Sequence, residues 1–182
     1  MEIRGKKVIL IPIKPREKDE FYKLATKSYG SNFWYDKNKK KTCTKEKFFQ
    51  SWHEGFFDSK SPDKGQCFWI TVDKKKIGTI IYNKIDLENK KVEFDIIIGK
   101  KGDLGRGYGS DSLKTLIRYV FDNFNVNKIW IEARVNNPRA IRAYELVGFK
   151  KEGLLREENY FNGKFVDCIR FGILRKEFKI NT

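Results

Sequence analysis

Two short stretches of this chain hold residues whose types and spacing could do chemistry. The first is GDLGRGYGSDSLKTLIRYVF, Gly102 to Phe121, where glycines abut a long amphipathic run. The first turn of a helix leaves backbone N–H groups unpaired, and with the helix dipole they favour an anion. Glycines let an anion's oxygens reach the backbone with no Cβ in the way. Gly105, Gly107 and Gly109, alternating with Arg106 and Tyr108, suit a pyrophosphate laid across the turn, to which Arg106 could add charge-assisted bonds. A purely structural turn uses the same residues, so the loop alone leaves both readings open. The second stretch is KVEFDIII, Lys91 to Ile98. A strand period of two puts Val92, Phe94, Ile96 and Ile98 on one face, and Glu93, Asp95 and Ile97 on the other. Paired carboxylates on one face suit a general base and an attraction for a cationic amine; solvated surface charge is the plain alternative.

Two other phosphate loops are excluded by the residues themselves. A nucleoside-triphosphate loop needs Gly-Lys-Ser/Thr at the helix start, where this chain has Gly109, Ser110 and Asp111. A dinucleotide fingerprint needs a further glycine three positions after Gly109, and Ser112 stands there.

The elements that must position these residues are legible from pattern. Val8 to Ile13 reads as an opening strand, and Pro15 as the start of a helix carrying Phe21, Leu24 and Ala25. Thr44 is an N-cap for a second helix running through Phe48, Phe49, Trp52 and Phe56 to Phe57. Between them the irregular, aromatic and basic SYGSNFWYDKNKKKT is a candidate substrate rim or an ordinary surface loop. Gln66 to Val72, Lys76 to Ile85 and Lys91 to Ile98 form an antiparallel meander. After the glycines, Leu113, Leu116, Ile117, Val120, Phe121 and Phe124 make a one-sided helical stripe. Lys128 to Val135 alternates as a half-buried strand, and Asn137-Pro138 caps a short helix ending at Gly148. Asn162-Gly163 marks a hairpin between two long arms. The expectation is one α+β (mixed α/β) domain over residues 1–182.

Lys and Arg number 39 against 24 Asp and Glu, a net charge of +15 that favours anionic partners without naming one. The basic runs Lys37 to Lys41 and Asp73 to Lys76 read as solvated loops. Cys43, Cys67 and Cys168 are far apart and odd in number, which suggests neither a disulfide framework nor a zinc site. No run approaches the ~20 apolar residues of a membrane span. These features lead us to expect a cytoplasmic protein with no metal. His53, the sole histidine, reads as a surface or partly buried residue.

Combined with NNPRAIRAYELVGFKKEG, Asn136 to Gly153, the glycine loop resembles the GNAT superfamily of acetyl-CoA-dependent N-acetyltransferases, over Lys7 to Phe178. The family's loop, Q/R-x-x-G-x-G/A, is met by Gly107 and Gly109, with Leu104 departing at the first position. Its second block, Asn-x-x-Ala-x-x-x-Tyr-x-x-x-Gly-Phe, is met by Asn137, Ala140, Tyr144, Gly148 and Phe149. The C-terminal hairpin looks like that of the ribosomal-protein N-terminal acetyltransferase branch. The resemblance implies a mostly antiparallel twisted sheet with splayed central strands flanked by helices. It implies acetyl-CoA bound by the loop from Leu104 to Gly109, by the backbone of Ile96, Ile97 and Ile98, and by Asn137. It also implies Glu93 as base, direct or through water, and Tyr144 as the acid that protonates the departing thiolate. Helical spacing alone would make Tyr144 a core residue beside Ala140, Ile141 and Val147. Trp34, Tyr35 and Asp95 are candidates for the acceptor pocket, with core filling or surface charge as the alternative.

The function so implied is direct acetyl transfer to a primary amine in a ternary complex. The acceptor, whether protein N-terminus, polyamine, aminoglycoside or amino acid, stays open, and a homodimer is a family expectation only. A basic nucleic-acid-binding module is the rival of another class, weakened by the lack of a recognition motif and by dispersed charge. A GNAT-like domain that senses acyl-CoA without catalysis is the third possibility.

Overall fold

The computed structural model describes residues 1–36, 42–50 and 52–178. Its elements run β1 (Ile3–Arg4), β2 (Ile9–Pro12), α1 (Lys18–Lys27), α2 (Lys45–Phe49), α3 (Gly55–Asp58), β3 (Gln66–Val72), β4 (Lys75–Tyr82) and β5 (Lys91–Ile98). There follow α4 (Tyr108–Asn123), β6 (Lys128–Arg134), α5 (Pro138–Val147), β7 (Lys150–Phe161) and β8 (Lys164–Leu174). The strands form one sheet in the order β1-β2-β3-β4-β5-β6-β8-β7. Every neighbouring pair is antiparallel except β5 and β6, which run parallel.

That one parallel pairing is short. It comprises Lys91–Lys128, Val92–Ile129 and Glu93–Trp130 and stops there, although β5 continues to Ile98 and β6 to Arg134. Beyond Glu93 the two strands diverge, and among the described residues the edge of β5 that faces β6 has no strand partner there.

Alternation along the central strands sends apolar side chains to both faces of the sheet. Phe68, Ile70, Ile80, Tyr82, Val92 and Phe94 join one core with the stripe of α4 (Leu113, Leu116, Ile117, Val120) and with Tyr144 and Val147 of α5. Cys67, Trp69 and Ile81 join a second core with Phe21 and Ala25 of α1, Phe48 of α2 and Phe57 of α3. Each fully buried Phe, Leu or Ile of these layers contributes roughly 1.5–3 kcal/mol. The sheet is therefore covered by α4 and α5 on one side and by α1 to α3 on the other. Glu93 and Asp95 point to the second side, at the margin of its aromatic core, where Asp95 sits opposite Ile81.

Several expectations are corrected by the structure. The helix expected from Thr44 to Phe57 is two short ones, α2 and α3. Thr44 does cap the first, its Oγ1 accepting from Lys47 N at 3.3 Å, while the His53 ring accepts from Gly55 N at 2.9 Å and holds a turn where the helix would have run on. The strand expected to reach Ile85 ends at Tyr82. Lys76 is no loop residue but lies in β4, bonded to Glu17 at 2.7 Å and also to Glu20, with its ammonium over the Trp69 ring. Lys37 to Lys41 lie outside the described residues. The Asn162-Gly163 turn has φ of 52° and 84°, as a two-residue hairpin demands. In β7 a bulge puts Glu157 at φ 54°, with its amide donating to Asp167 Oδ1 at 2.7 Å.

Candidate functional site

The divergence of β5 and β6 opens a cleft of about 770 Å³. Ile96, Ile97 and Ile98 line it along the free edge of β5, and Leu104, Gly105, Gly107, Tyr108 and Gly109 line the end at the N-terminus of α4. Asn137 and Tyr144 come from α5, Glu93 and Asp95 from the vertex side, and Trp34 and Tyr35 from the segment after α1. One expected site residue, Arg106, is absent from these walls. It is exposed, and lies between two left-handed glycines, Gly105 at φ 76° and Gly107 at φ 82°.

The glycine loop fits a diphosphate in its donor set. Asp111 N is the first amide of α4 to find an acceptor, Gly107 O at 3.0 Å, which leaves the amides of Tyr108, Gly109 and Ser110 without a backbone acceptor among the described residues. A Cβ built on Gly105 would meet nothing within 4 Å, and one on Gly109 only the ends of Ile96 and Ile98, so the space before these amides is open. The loop is also held from outside. The Asp111 carboxylate accepts from the amides of Lys6, Lys7 and Val8 at 3.2, 2.6 and 3.0 Å, tying the β1–β2 turn to the first turn of α4. The Lys7 ammonium donates to Arg106 O at 3.0 Å. Nothing local in the sequence announces these contacts, whose partners lie about a hundred positions apart.

Asn137 caps α5, its Oδ1 accepting from Ala140 N at 3.3 Å, and Gly148 closes the helix at φ 110°. This fixes Tyr144 with its ring packed against Phe149 and Phe171, 6 % exposed, while it still lines the cleft. The core reading and the site reading are thus both true of it. Burial, with the Asp95 charge second, holds its hydroxyl well above the usual tyrosine range.

Carboxylates gather at the vertex. Burial, then the nearby charges of Asp95 and Glu132, push Glu93 up to about 7, with Asn83 and Arg170 pulling the other way. Burial also raises Asp95, which accepts from Asn83 Nδ2 at 2.9 Å. Glu132 lines the cleft from β6 and is held by Arg170 of β8, whose Nε and Nη2 reach one carboxylate oxygen at 2.8 and 2.6 Å. The alternation of Trp130, Glu132 and Arg134 opposite the buried Ile129, Ile131 and Ala133 was the readable signal for this third acid.

The remaining wall comes from the turn after α1. Gly30 N donates to Gly99 O at 3.0 Å, and a Cβ at Gly30 would collide with the Ile98 carbonyl, so only glycine lets this turn sit on the end of β5. Arg134 reaches across the cleft to donate to Phe33 O and stacks on Phe161, its guanidinium 3.9 Å from the ring centroid. Tyr35, raised to about 12 by burial and then by the charges of Cys43 and Asp95, adjoins a side chamber of about 210 Å³. Trp34, Tyr35, Trp52, Phe56, Asn83 and Asp95 line that chamber. Among the described residues no group of His, Cys, Asp and Glu could hold a metal ion.

Comparison with known proteins gives this geometry its context. The family described as acetyltransferase (GNAT) domain matches residues 7–150. An uncharacterised N-acetyltransferase, p20, of Bacillus licheniformis is 33% identical over 102 residues, 56% of this chain and 57% of that protein's length. Spermidine N(1)-acetyltransferase of Vibrio cholerae is 30% identical over 127 residues, 69% of this chain and 73% of that protein. The crystal structure of spermidine N-acetyltransferase from Vibrio cholerae with CoA and spermine superposes with a TM-score of 0.79 at 23% identity, covering 96% of this chain and 99% of that one. That of RimL, a ribosomal L7/L12 α-N-protein acetyltransferase in complex with coenzyme A, gives 0.80 at 16%, covering 96% and 98%.

Proposed function

Because this chain belongs to the GNAT acetyltransferase family, we propose that its cleft transfers an acetyl group from acetyl-CoA to a primary amine, with both substrates bound together. The observation that carries the reading is the unpaired edge of β5 running from a ring of free helix-end amides to an acidic vertex. Acetyl-CoA, when bound, supplies an activated acyl group and three phosphates.

The amides of Tyr108, Gly109 and Ser110 hold the diphosphate, at the positive end of α4. The free edge of Ile96 to Ile98 offers N–H and C=O groups to the amides of the pantetheine arm, as a sheet edge does to an added strand. Asn137, at the start of α5, borders the same arm. Glu93 takes the proton that an ammonium acceptor must shed before attack, and a pKa near 7 suits a base working at neutral pH. Water can stand between the two. Tyr144, kept protonated by burial, gives a proton to the leaving sulfur.

The acceptor we propose is an alkyl polyamine. In a chain of net charge +15, the acceptor side of the cleft concentrates Glu93, Asp95 and Glu132, with Arg170 already engaged on Glu132. Asp95 lines both the cleft and the aromatic side chamber, whose rings favour a cation. The Vibrio cholerae relative, named for spermidine, points the same way. A panel of amines, assayed by thiol release from acetyl-CoA, tests both levels. Spermidine and short diamines should exceed a monoamine of equal length and a peptide N-terminus in kcat/KM. A peptide preferred over every polyamine would overturn the acceptor, and tight CoA binding without thiol release from any amine would overturn catalysis.

The three cysteines are free, which suits our placement of the protein in the reducing cytoplasm. No described helix is long and apolar enough to cross a membrane. A homodimer is also part of the proposal, with the exposed Leu154, Tyr160 and Phe165 of the β7–β8 hairpin as its contact.

A further inference from the structure

The phosphate cradle described above is built from backbone, and the side chains within it bring little positive charge. Leu104 is apolar, the Arg106 side chain is exposed with no partner holding it at the loop among the described residues, and the carboxylates of Asp103 and Asp111 stand at the loop and in the first turn of α4. A doubly charged diphosphate placed there would face the Asp103 carboxylate, while that of Asp111 is turned to the amides of the β1–β2 turn. Besides Arg139 and Arg142, which line the cleft from α5, a further cation touches the loop itself, and it comes from the other end of the chain. Lys7 Nζ lies 3.0 Å from Arg106 O and 3.1 Å from where a Cβ on Gly107 would be, so its ammonium sits against the face of the glycine turn.

We infer that Lys7 is a side-chain ligand for the cofactor's diphosphate, delivered to the glycine loop by the β1–β2 turn. The inference rests on the acetyl-CoA reading of the cleft and adds a residue to it. Two features fit Lys7 for this task. An ammonium has three donors, and the Arg106 carbonyl takes one, leaving two for phosphate oxygens. The residue is also fixed at its base, because its own amide donates to Asp111 Oδ2 at 2.6 Å between the similar bonds of Lys6 and Val8. A lysine already held at both ends loses less freedom on binding than one free in solvent. The Asp111 carboxylate is thereby used to place a cation beside the loop.

Lys7→Met and Lys7→Arg keep the backbone amide that Asp111 needs, so the fold is not at stake. Affinity for CoA is read by calorimetry over a range of salt, and acetyl-CoA is compared with S-acetylpantetheine, which has no phosphates, as acyl donor. We expect Lys7→Met to weaken CoA roughly tenfold, as loss of a charged hydrogen bond does. It should also make the salt dependence shallower and cut the preference for acetyl-CoA over S-acetylpantetheine by about the same factor. Lys7→Arg should restore most of each. Lys7→Met binding CoA as the wild type does would overturn the inference, and so would an equal loss with both donors, the mark of a residue that only braces the loop. Failure of the wild type to bind CoA at all would remove the acetyl-CoA reading and Lys7 with it.

Discussion

Replacing Glu93 by Gln should slow the protein as an enzyme and steady it as a fold. The Glu93 carboxyl is pushed from an ordinary value of 4.5 up to about 7, first by burial and then by the Asp95 and Glu132 charges. A carboxyl raised in this way holds its proton more tightly folded than unfolded, so it favours the fold below about 4.5 and loses that contribution as pH climbs through about 7. At 1.36 kcal/mol per pH unit, the gap corresponds to roughly 3 kcal/mol. Partial exposure to the cleft screens this to roughly 1–2 kcal/mol. A glutamine amide in the same place carries no charge to bury. Glu93→Gln should therefore be more stable than the wild type by about that amount at pH 8 and no more stable at pH 4, as read from urea midpoints at the two pH values. Its kcat, measured by thiol release at saturating substrates, should fall by about 10²–10³, the usual contribution of a general base. In the wild type, kcat should rise about tenfold from pH 6 to pH 8, and this acid limb should vanish in the variant. A Glu93→Gln protein that keeps the limb, or turns over within threefold of the wild type, would refute the assignment; unchanged stability at pH 8 would refute the electrostatics behind it.

Other expectations follow from the same geometry. Tyr144→Phe should lower kcat tenfold or more with little change in KM for acetyl-CoA, since only the hydroxyl is lost; an unchanged kcat would leave the residue as packing alone. Gly107→Val forces a β-branched residue to φ 82°, at a cost of about 1–2 kcal/mol, and pushes a Cβ toward Lys7, so CoA binding by calorimetry should disappear. Asp111→Ala strips acceptors from three amides, and should cost roughly 2 kcal/mol. At about 2–4 °C per kcal/mol, its Tm should fall by about 4–8 °C in a melting scan.

The parts of the protein that were readable in its sequence are those set by local rules. Gln66 to Val72 and Lys91 to Ile98 have the bounds expected from their runs, because alternation ending at turn residues is a property of neighbours. The cap at Asn137, the left-handed Gly148 and the turn at Asn162-Gly163 are equally local. Glu93, Asp95 and the glycines were readable as candidates by type and spacing, Tyr144 only through the family resemblance, and the fold does bring them to one cleft. What stayed hidden depends on distant pairs. The ladder between β5 and β6 ending at Glu93, Arg170 gripping Glu132, Gly30 resting on Gly99, and Lys7 reaching Arg106 each join segments with no shared periodicity. The split of the second helix was missed because its apolar spacing continues while a histidine ring and Gly55 interrupt the backbone.

The stretch of β5 that lacks a partner on its β6 side has a bearing on how this protein could be engineered. Its working surface consists of ladder bonds withheld, so the easiest way to harden the sheet is to zip the two strands further together. A screen that rewards heat resistance alone would collect such closures and count them as gains while the binding groove sealed. Any stabilising campaign on this scaffold should carry a ligand-retention step, and should look for improvement at the outer hairpins rather than at the fork.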